Sequence, residues 1–525
     1  MADGGATGVT SGATGGAATG GKSGGKPGGV ARKVTLGVFA LAMIEVTAVL
    51  SIRNFPSMAE EGWSMIFWYL FGLIAFFLPL SLVAGELATA WPQGGGVYAW
   101  VRQAFGERSG FISIWCEWSE NVVWFPTVLS FIAATFAYVI SPALGSNPLY
   151  LVATMLGVFW VVTLVNFYGE RFSSPISTWG GIFGAIVPTA VIIILLFASM
   201  LRGDSPAVPF SASALIPSFD MATLPFVATV VLIFAGMEMA GFHALETRDP
   251  ARDFPRAIVL SMSGIFALTV LGTLAIMWVV PAKELGLASG VMQAVQAMLD
   301  KIGAGWLTVP MALLIAVGGV AQFSTWLIGP AKGLGVAAAQ GDLPKVWRQH
   351  NTHGSPVAVL LIQGVIGSAF SLAFLLPSVN SAYWILSAIT TEVIIIMYLF
   401  LFASVIKLRY SQPDTPRPYR VPGGKVGIWI VAGVALAALC FSFVVGLFPP
   451  SVIKGFGPVT YVAILLGATF LLSLGGPLLF WVLRKPGWVA PNAAAYLTGD
   501  EDAAGPTGEP AAPGPDAAPG NGGAS

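Results

Sequence analysis

The chain has 525 residues, with 25 lysines and arginines balanced by 25 aspartates and glutamates, so its formal net charge is zero. Hydrophobic residues make up 56% of it, charged residues only 10%, and mean hydropathy is +0.80. Soluble domains carry roughly 25% charged residues, so a soluble particle is excluded and a polytopic membrane protein is implied. No global field draws nucleic acid to a neutral chain. The two cysteines, Cys116 and Cys440, lie inside apolar runs, which argues against a disulfide framework or a thiolate cage. Three histidines (His243, His350, His353) are too few for a multi-histidine metal site. No metal and no cofactor is expected.

Residues 1–33 open on a run of Gly, Ala, Thr and Ser, a composition that cannot bury a core and that reads as a disordered cytoplasmic tail. It contains no apolar region of the kind a cleavable signal needs. From there to residue 485 the chain is a series of apolar runs. A bilayer-crossing helix needs about 20 such residues. That rule places spans at 34–55, 64–90, 110–140, 149–168, 173–201, 222–247, 255–280, 306–338, 356–376, 382–408, 427–447 and 458–484, twelve in all. The pairs Ser141-Pro142 and Asn147-Pro148 separate the third span from the fourth, and 289–303 reads as a short surface helix. Residues 486–525, rich in Pro, Ala and Gly, read as a second disordered tail.

Twelve spans put both termini on one side. Only Arg53, Arg202, Lys283, Lys301 and Lys454 fall in loops of the opposite side, which leaves 20 of the 25 basic residues with the termini. That bias makes the terminal side cytoplasmic and the site of residence the plasma (inner) membrane.

An ionisable group at bilayer depth costs at least about 2.5–3.5 kcal/mol and is a functional candidate by default. Six acids qualify: Glu45, Glu86, Glu117, Glu120, Glu238 and Glu392, with no lysine or arginine near the middle of any span. Such acids must be protonated, hydrogen-bonded, or facing water or a cation, and an ammonium substrate, a proton or Na⁺ would each meet part of that demand. Span 6 reads Phe234-Ala235-Gly236-Met237-Glu238-Met239-Ala240-Gly241, two glycines and an acid where a continuous helix avoids them, and span 1 has Ile44-Glu45-Val46-Thr47 at matching depth. Matching interruptions in two halves are the sequence signature of an inverted-repeat transporter with a midplane site.

The stretch Gly85-Glu86-Leu87-Ala88-Thr89-Ala90-Trp91-Pro92-Gln93-Gly94-Gly95-Gly96-Val97-Tyr98-Ala99-Trp100 resembles the span 2–3 signature of the amino acid–polyamine–organocation superfamily, and most of all its bacterial glutamate/γ-aminobutyrate antiporters. Similar matches run through Gly236-Met237-Glu238 to His243, Glu246 and Asp249-Pro250-Ala251-Arg252-Asp253-Phe254-Pro255, and through Gly290-Val291-Met292-Gln293. Trp326-Leu327-Ile328-Gly329-Pro330-Ala331-Lys332-Gly333 and Arg420-Val421-Pro422-Gly423-Gly424-Lys425 complete the set. The resemblance covers about 34–485 and implies an all-α LeuT-type fold, with spans 1–5 (34–201) and 6–10 (222–408) as inverted repeats and spans 11–12 (427–484) peripheral. The superfamily's frequent Gly-Ser-Gly break, which holds the substrate carboxylate, is replaced here by Glu45-Val46-Thr47-Ala48. An ionised glutamate there would repel a carboxylate. The tail shows nothing able to form a folded plug.

The expected substrate site is Ile44, Glu45, Val46, Thr47, Glu120, Trp124, Phe234, Gly236, Glu238, Gly241, Phe242, Trp326 and Trp384. Glu238 and Glu45 are candidates for proton coupling, His243 for a proton-linked switch, and Ser324 and Thr325 for hydroxyl ligands of Na⁺. Phe234, Phe242, Trp326 and Trp384 would gate the pocket or hold an ammonium by cation–π contact. Blander readings remain open: Glu117, Glu120 and Asn121 as an interhelical hydrogen-bond network, Glu86 as a loop brace, Ser324 and Thr325 as packing. The expected activity is exchange of a small amino acid or its decarboxylation product by alternating access. The alternative is proton- or Na⁺-coupled transport of a polyamine or other cationic amine. No filter-like loop indicates a channel, and no nucleophile–base constellation or nucleotide loop indicates an enzyme.

Overall fold

A computed structural model of the chain describes residues 37–168, 179–219, 224–239, 247–376, 378–449 and 457–498. Among them, eleven helices are long and apolar enough to cross a membrane. These are spans 1 (Val38–Ala59), 2 (Gly62–Ala90), 3 (Glu107–Ile140), 4 (Pro148–Asn166), 5 (Trp179–Leu201), 7 (Arg252–Val279), 8 (Gly305–Ala339), 9 (Val357–Leu375), 10 (Val379–Ser411), 11 (Gly424–Gly446) and 12 (Pro458–Leu483). Span 6 is represented by the shorter helix Pro225–Ile233 and the turns after it.

Element ends follow local chemistry. Span 3 stops at Ile140 before Pro142, and Asn147 caps span 4 by accepting from Leu149 N (3.0 Å) and Tyr150 N (3.2 Å), with Pro148 at the first helical position. Spans 3 and 10 have 78% of their most apolar stretch buried and span 8 has 72%, against 22% for span 12. Spans 3, 8 and 10 therefore form the core, and span 12 lies at the edge, with Val459 and Val482 on the outside. Such an apolar exterior is what lipid contact requires. Spans 5 and 8 cross with no side chain between them: a Cβ on Gly184 would lie 2.1 Å from Gly318 N.

Three expectations change at one face of the molecule. A helix, Val97–Phe105, lies between spans 2 and 3 and buries Val97, Tyr98, Trp100 and Val101, a seven-to-nine-residue amphipathic pattern too short to register as a span. Glu86 is not without a basic partner: it is wholly buried, and Arg409 Nε donates to its Oε1 at 2.6 Å while Arg409 Nη2 binds Oε2. Arg417 Nε lies 3.3 Å from Oε1 and Val421 N donates to Oε2 at 2.8 Å, so Glu86 ties span 2 to the segment joining spans 10 and 11. Third, ordered structure continues past 485. Residues 486–498 carry a 3₁₀ turn and the helix Ala493–Thr498. Ala490 N donates to Ala339 O (2.8 Å), Gln340 Nε2 to Ala493 O (2.6 Å) and Gly94 N to Leu497 O (2.9 Å).

Candidate functional site

Span 1 is interrupted, one turn later than the sequence reading placed it. Residues 44–47 are helical, the helix runs to Val49, Leu50 and Ser51 are extended, and the chain resumes as a 3₁₀ turn at Ile52–Asn54 and a helix at Phe55–Ala59. Pro56, which has no N–H, falls in the first turn of that second helix, where none is needed. The break leaves carbonyls without helical partners, and span 8 supplies them: Trp326 Nε1 donates to Ala48 O at 3.0 Å and Gln322 Nε2 at 3.4 Å, while Ser51 Oγ donates to Gln322 Oε1 at 2.9 Å. Trp326, expected as a gate, thus pins the break.

The expected residues 44–47 face elsewhere. Glu45 is buried and accepts a hydrogen bond from Ser261 Oγ on span 7. Thr47 donates to Met43 O (2.8 Å) and packs against Gly181 of span 5, where a Cβ would lie 2.1 Å from Thr47 Oγ1. Neither belongs to the extended segment.

Span 6 breaks where expected. Its helix ends at Ile233, residues 234–236 form a turn, and Gly236 has φ +117°, a conformation that excludes other residues. A Cβ there would also lie 3.0 Å from the Trp326 ring and 3.2 Å from Val49, so the two breaks are in contact through this glycine. Tyr398 of span 10 bridges the turn: Gly236 N donates to its hydroxyl at 3.1 Å, and that hydroxyl donates to Glu238 Oε1 at 2.9 Å. Tyr398 was missed in the sequence, where nothing separates it from the other apolar residues of span 10. Phe234 is fully buried and stacks on Phe77 of span 2 at 4.6 Å, a packing position rather than a gate. Gly241, Phe242 and His243 lie outside the described residues.

Glu117 and Glu120 of span 3 are buried close enough to Glu238 for their charges to interact. Glu120 Oε1 accepts from Asn121 Nδ2 at 3.1 Å, a bond within span 3 rather than the interhelical network expected, and neither oxygen of Glu117 has a partner among the described residues. Trp124, one turn further along span 3, lies 6.1 Å from the Trp326 ring. Ser324 is hydrogen-bonded with Asn166 (3.1 Å) and Thr325 donates to Ala321 O (3.0 Å), so both hydroxyls serve packing between and within helices.

The largest correction concerns Arg53. It stands in the turn after the break of span 1, not in a loop, and is only 3% exposed. Its Nη1 donates to Thr127 Oγ1 (3.0 Å) and to Tyr383 OH (2.8 Å), and its guanidinium lies 5.3 Å from the Trp124 ring and 5.7 Å from that of Tyr383. Arg53, Asn54 and Ser57 form one wall of a small cleft; Thr229 and Leu232 of span 6 and Trp384 and Glu392 of span 10 form others. Both Glu392 oxygens are buried without hydrogen-bond partners among the described residues. The arrangement therefore has a cationic group above two joined helix breaks and a cluster of acids beside them.

The amino acid permease family profile matches residues 36–470. An uncharacterized transporter of Legionella pneumophila is 43% identical over 421 residues, 80% of this chain and 90% of that protein. A glutamate/γ-aminobutyrate antiporter of Lactococcus lactis is 32% identical over 444 residues, 83% of this chain and 88% of the relative. A probable agmatine/putrescine antiporter of the same organism is 25% identical over 385 residues, 73% and 81% of the two chains.

Proposed function

The chain belongs to the amino acid permease family of multi-pass membrane transporters, and on that premise we propose that it is an antiporter exchanging a small amino acid for its decarboxylation product, a glutamate/γ-aminobutyrate-like pair. The observation that carries this reading is Glu238: a buried carboxylate in the interruption of span 6, held by Tyr398 and within electrostatic reach of Glu117 and Glu120. A cluster of carboxylates at a helix break is a receptor for an ammonium group or a proton, since each charge left alone there is costly. Alternating access follows from rocking one bundle of spans against the other about the two breaks, as in LeuT-type inverted repeats. The lysine and arginine bias supports cytoplasmic termini in the inner membrane, and a reporter fused after residue 525 should be active only in the cytoplasm.

The three clustered acids also favour a second reading, exchange of a diamine such as putrescine, in line with the name of the third relative. Glu238→Gln tests the role common to both. Exchange in proteoliposomes should fall at least about tenfold and lose its pH dependence; wild-type rate and pH profile would sink the assignment.

A further inference from the structure

We propose that Arg53 is the receptor for the substrate's carboxylate, which makes the transported class one with an anionic and a cationic end and excludes bare diamines. The inference rests on the exchange reading and deepens it.

A buried guanidinium without a counter-charge costs several kcal/mol. Arg53 has no carboxylate in direct contact: among the described residues it belongs to no ion pair, and its Nε has no hydrogen-bond partner. Its contacts are two hydroxyls and two aromatic rings, all neutral. Cation–π contacts recover about 0.5–2 kcal/mol, less than a carboxylate would. The other buried arginine of the spans shows the contrast: Arg409 has Glu86 in a two-pronged ion pair. The acid whose charge reaches Arg53, Glu120, is engaged with Asn121 rather than with the guanidinium.

Thr127, Tyr383 and Trp124 fix the guanidinium at the wall of the cleft. A guanidinium in that setting matches a carboxylate bidentately. The cleft's cavity volume is about 30 Å³, room for roughly two waters or a single carboxylate group. Glu392 lines the same cleft but stands nine residues from Tyr383 on span 10, roughly 13 Å along the helix axis. No ion pair joins it to Arg53 among the described residues.

The test uses the full-length protein in proteoliposomes loaded with γ-aminobutyrate. Uptake of labelled γ-aminobutyrate is challenged with γ-aminobutyrate itself, with its amide (4-aminobutanamide) and with putrescine. The acid should compete at least about 100-fold better than either analogue, because a site built for a charged group is left unpaired by a ligand lacking it. Arg53→Gln should bring the acid down to the level of the amide, and Arg53→Lys should retain part of the preference. Equal competition by amide, diamine and acid in the wild type, or an unchanged acid-over-amide gap in R53Q, would overturn the proposal. Should R53Q fold poorly, the wild-type comparison alone can still overturn the proposal. Exchange of putrescine alone would overturn the role of Arg53 and leave antiport standing. Equal uptake into loaded and empty liposomes would remove antiport, while the acid-over-amide preference still decides Arg53.

Discussion

Tyr398 carries two hydrogen bonds across the interruption of span 6, one to a backbone N–H with no helical partner and one to the Glu238 carboxylate. Tyr398→Phe removes both while keeping the ring, and each buried group left unsatisfied costs about 1–3 kcal/mol. The variant should melt at lower temperature in detergent and lose exchange in parallel with Glu238→Gln; unchanged melting and transport would show that the bridge is idle. Gly236→Ala should be harsher, because its φ of +117° and its contact with the Trp326 ring both exclude a Cβ. The glycine-acid pattern of span 6 was legible because it breaks a helical rule within a few residues. Tyr398 and Arg53 were not, since what makes them special comes from residues far away in sequence: Tyr398 is 160 residues from Glu238, and Arg53 is 330 from Tyr383. For the same reason Arg53 read as a loop charge. Glu45 drew attention as an acid in span 1, yet the break is set by Pro56 and by the Trp326 and Gln322 contacts to Ala48, one turn beyond it.

At the scale of elements, the pairing of Glu86 with Arg409 and Arg417 joins span 2 to the chain between spans 10 and 11. Glu86→Gln strands a buried arginine, for which about 3–5 kcal/mol of destabilisation is expected. A large drop in melting temperature should follow, partly reversed in the double variant Glu86→Gln/Arg409→Met; a silent single variant would contradict the brace. Residues 486–498 form a second joint. Asp342, just beyond span 8, lies between Tyr98 (3.2 Å) and Arg484 (3.9 Å), and burial pushes its carboxyl up to about 6, with Arg484 opposing. A carboxyl that binds protons more tightly when folded contributes stability below its ordinary value near 4, and loses it as pH rises through 6. Once the base-catalysed intrinsic rate is divided out, amide protection in 486–498 should accordingly fall between pH 4 and 7 in the wild type and stay flat in Asp342→Asn. A pH-independent wild type would contradict that linkage. Span positions were legible to within a few residues because the bilayer demands long apolar runs. The helix at Val97–Phe105 and the docked segment after 485 were not, since each depends on tertiary contacts more than on its own composition.

For the molecule as a whole, two groups of opposite charge lie at the helix breaks: acids at Glu238, Glu117 and Glu120, and a cation at Arg53. Under the exchange proposed above, such a site would take a compact amino acid and a product that keeps one carboxylate, and rocking the bundle would convert binding into exchange. Exchange itself is tested most directly by counterflow with the wild-type protein in proteoliposomes. Labelled γ-aminobutyrate or glutamate should accumulate only in vesicles loaded with unlabelled γ-aminobutyrate or glutamate, and hardly at all in empty ones. Equal uptake into loaded and empty vesicles, or uptake of neither compound under any load, would contradict it.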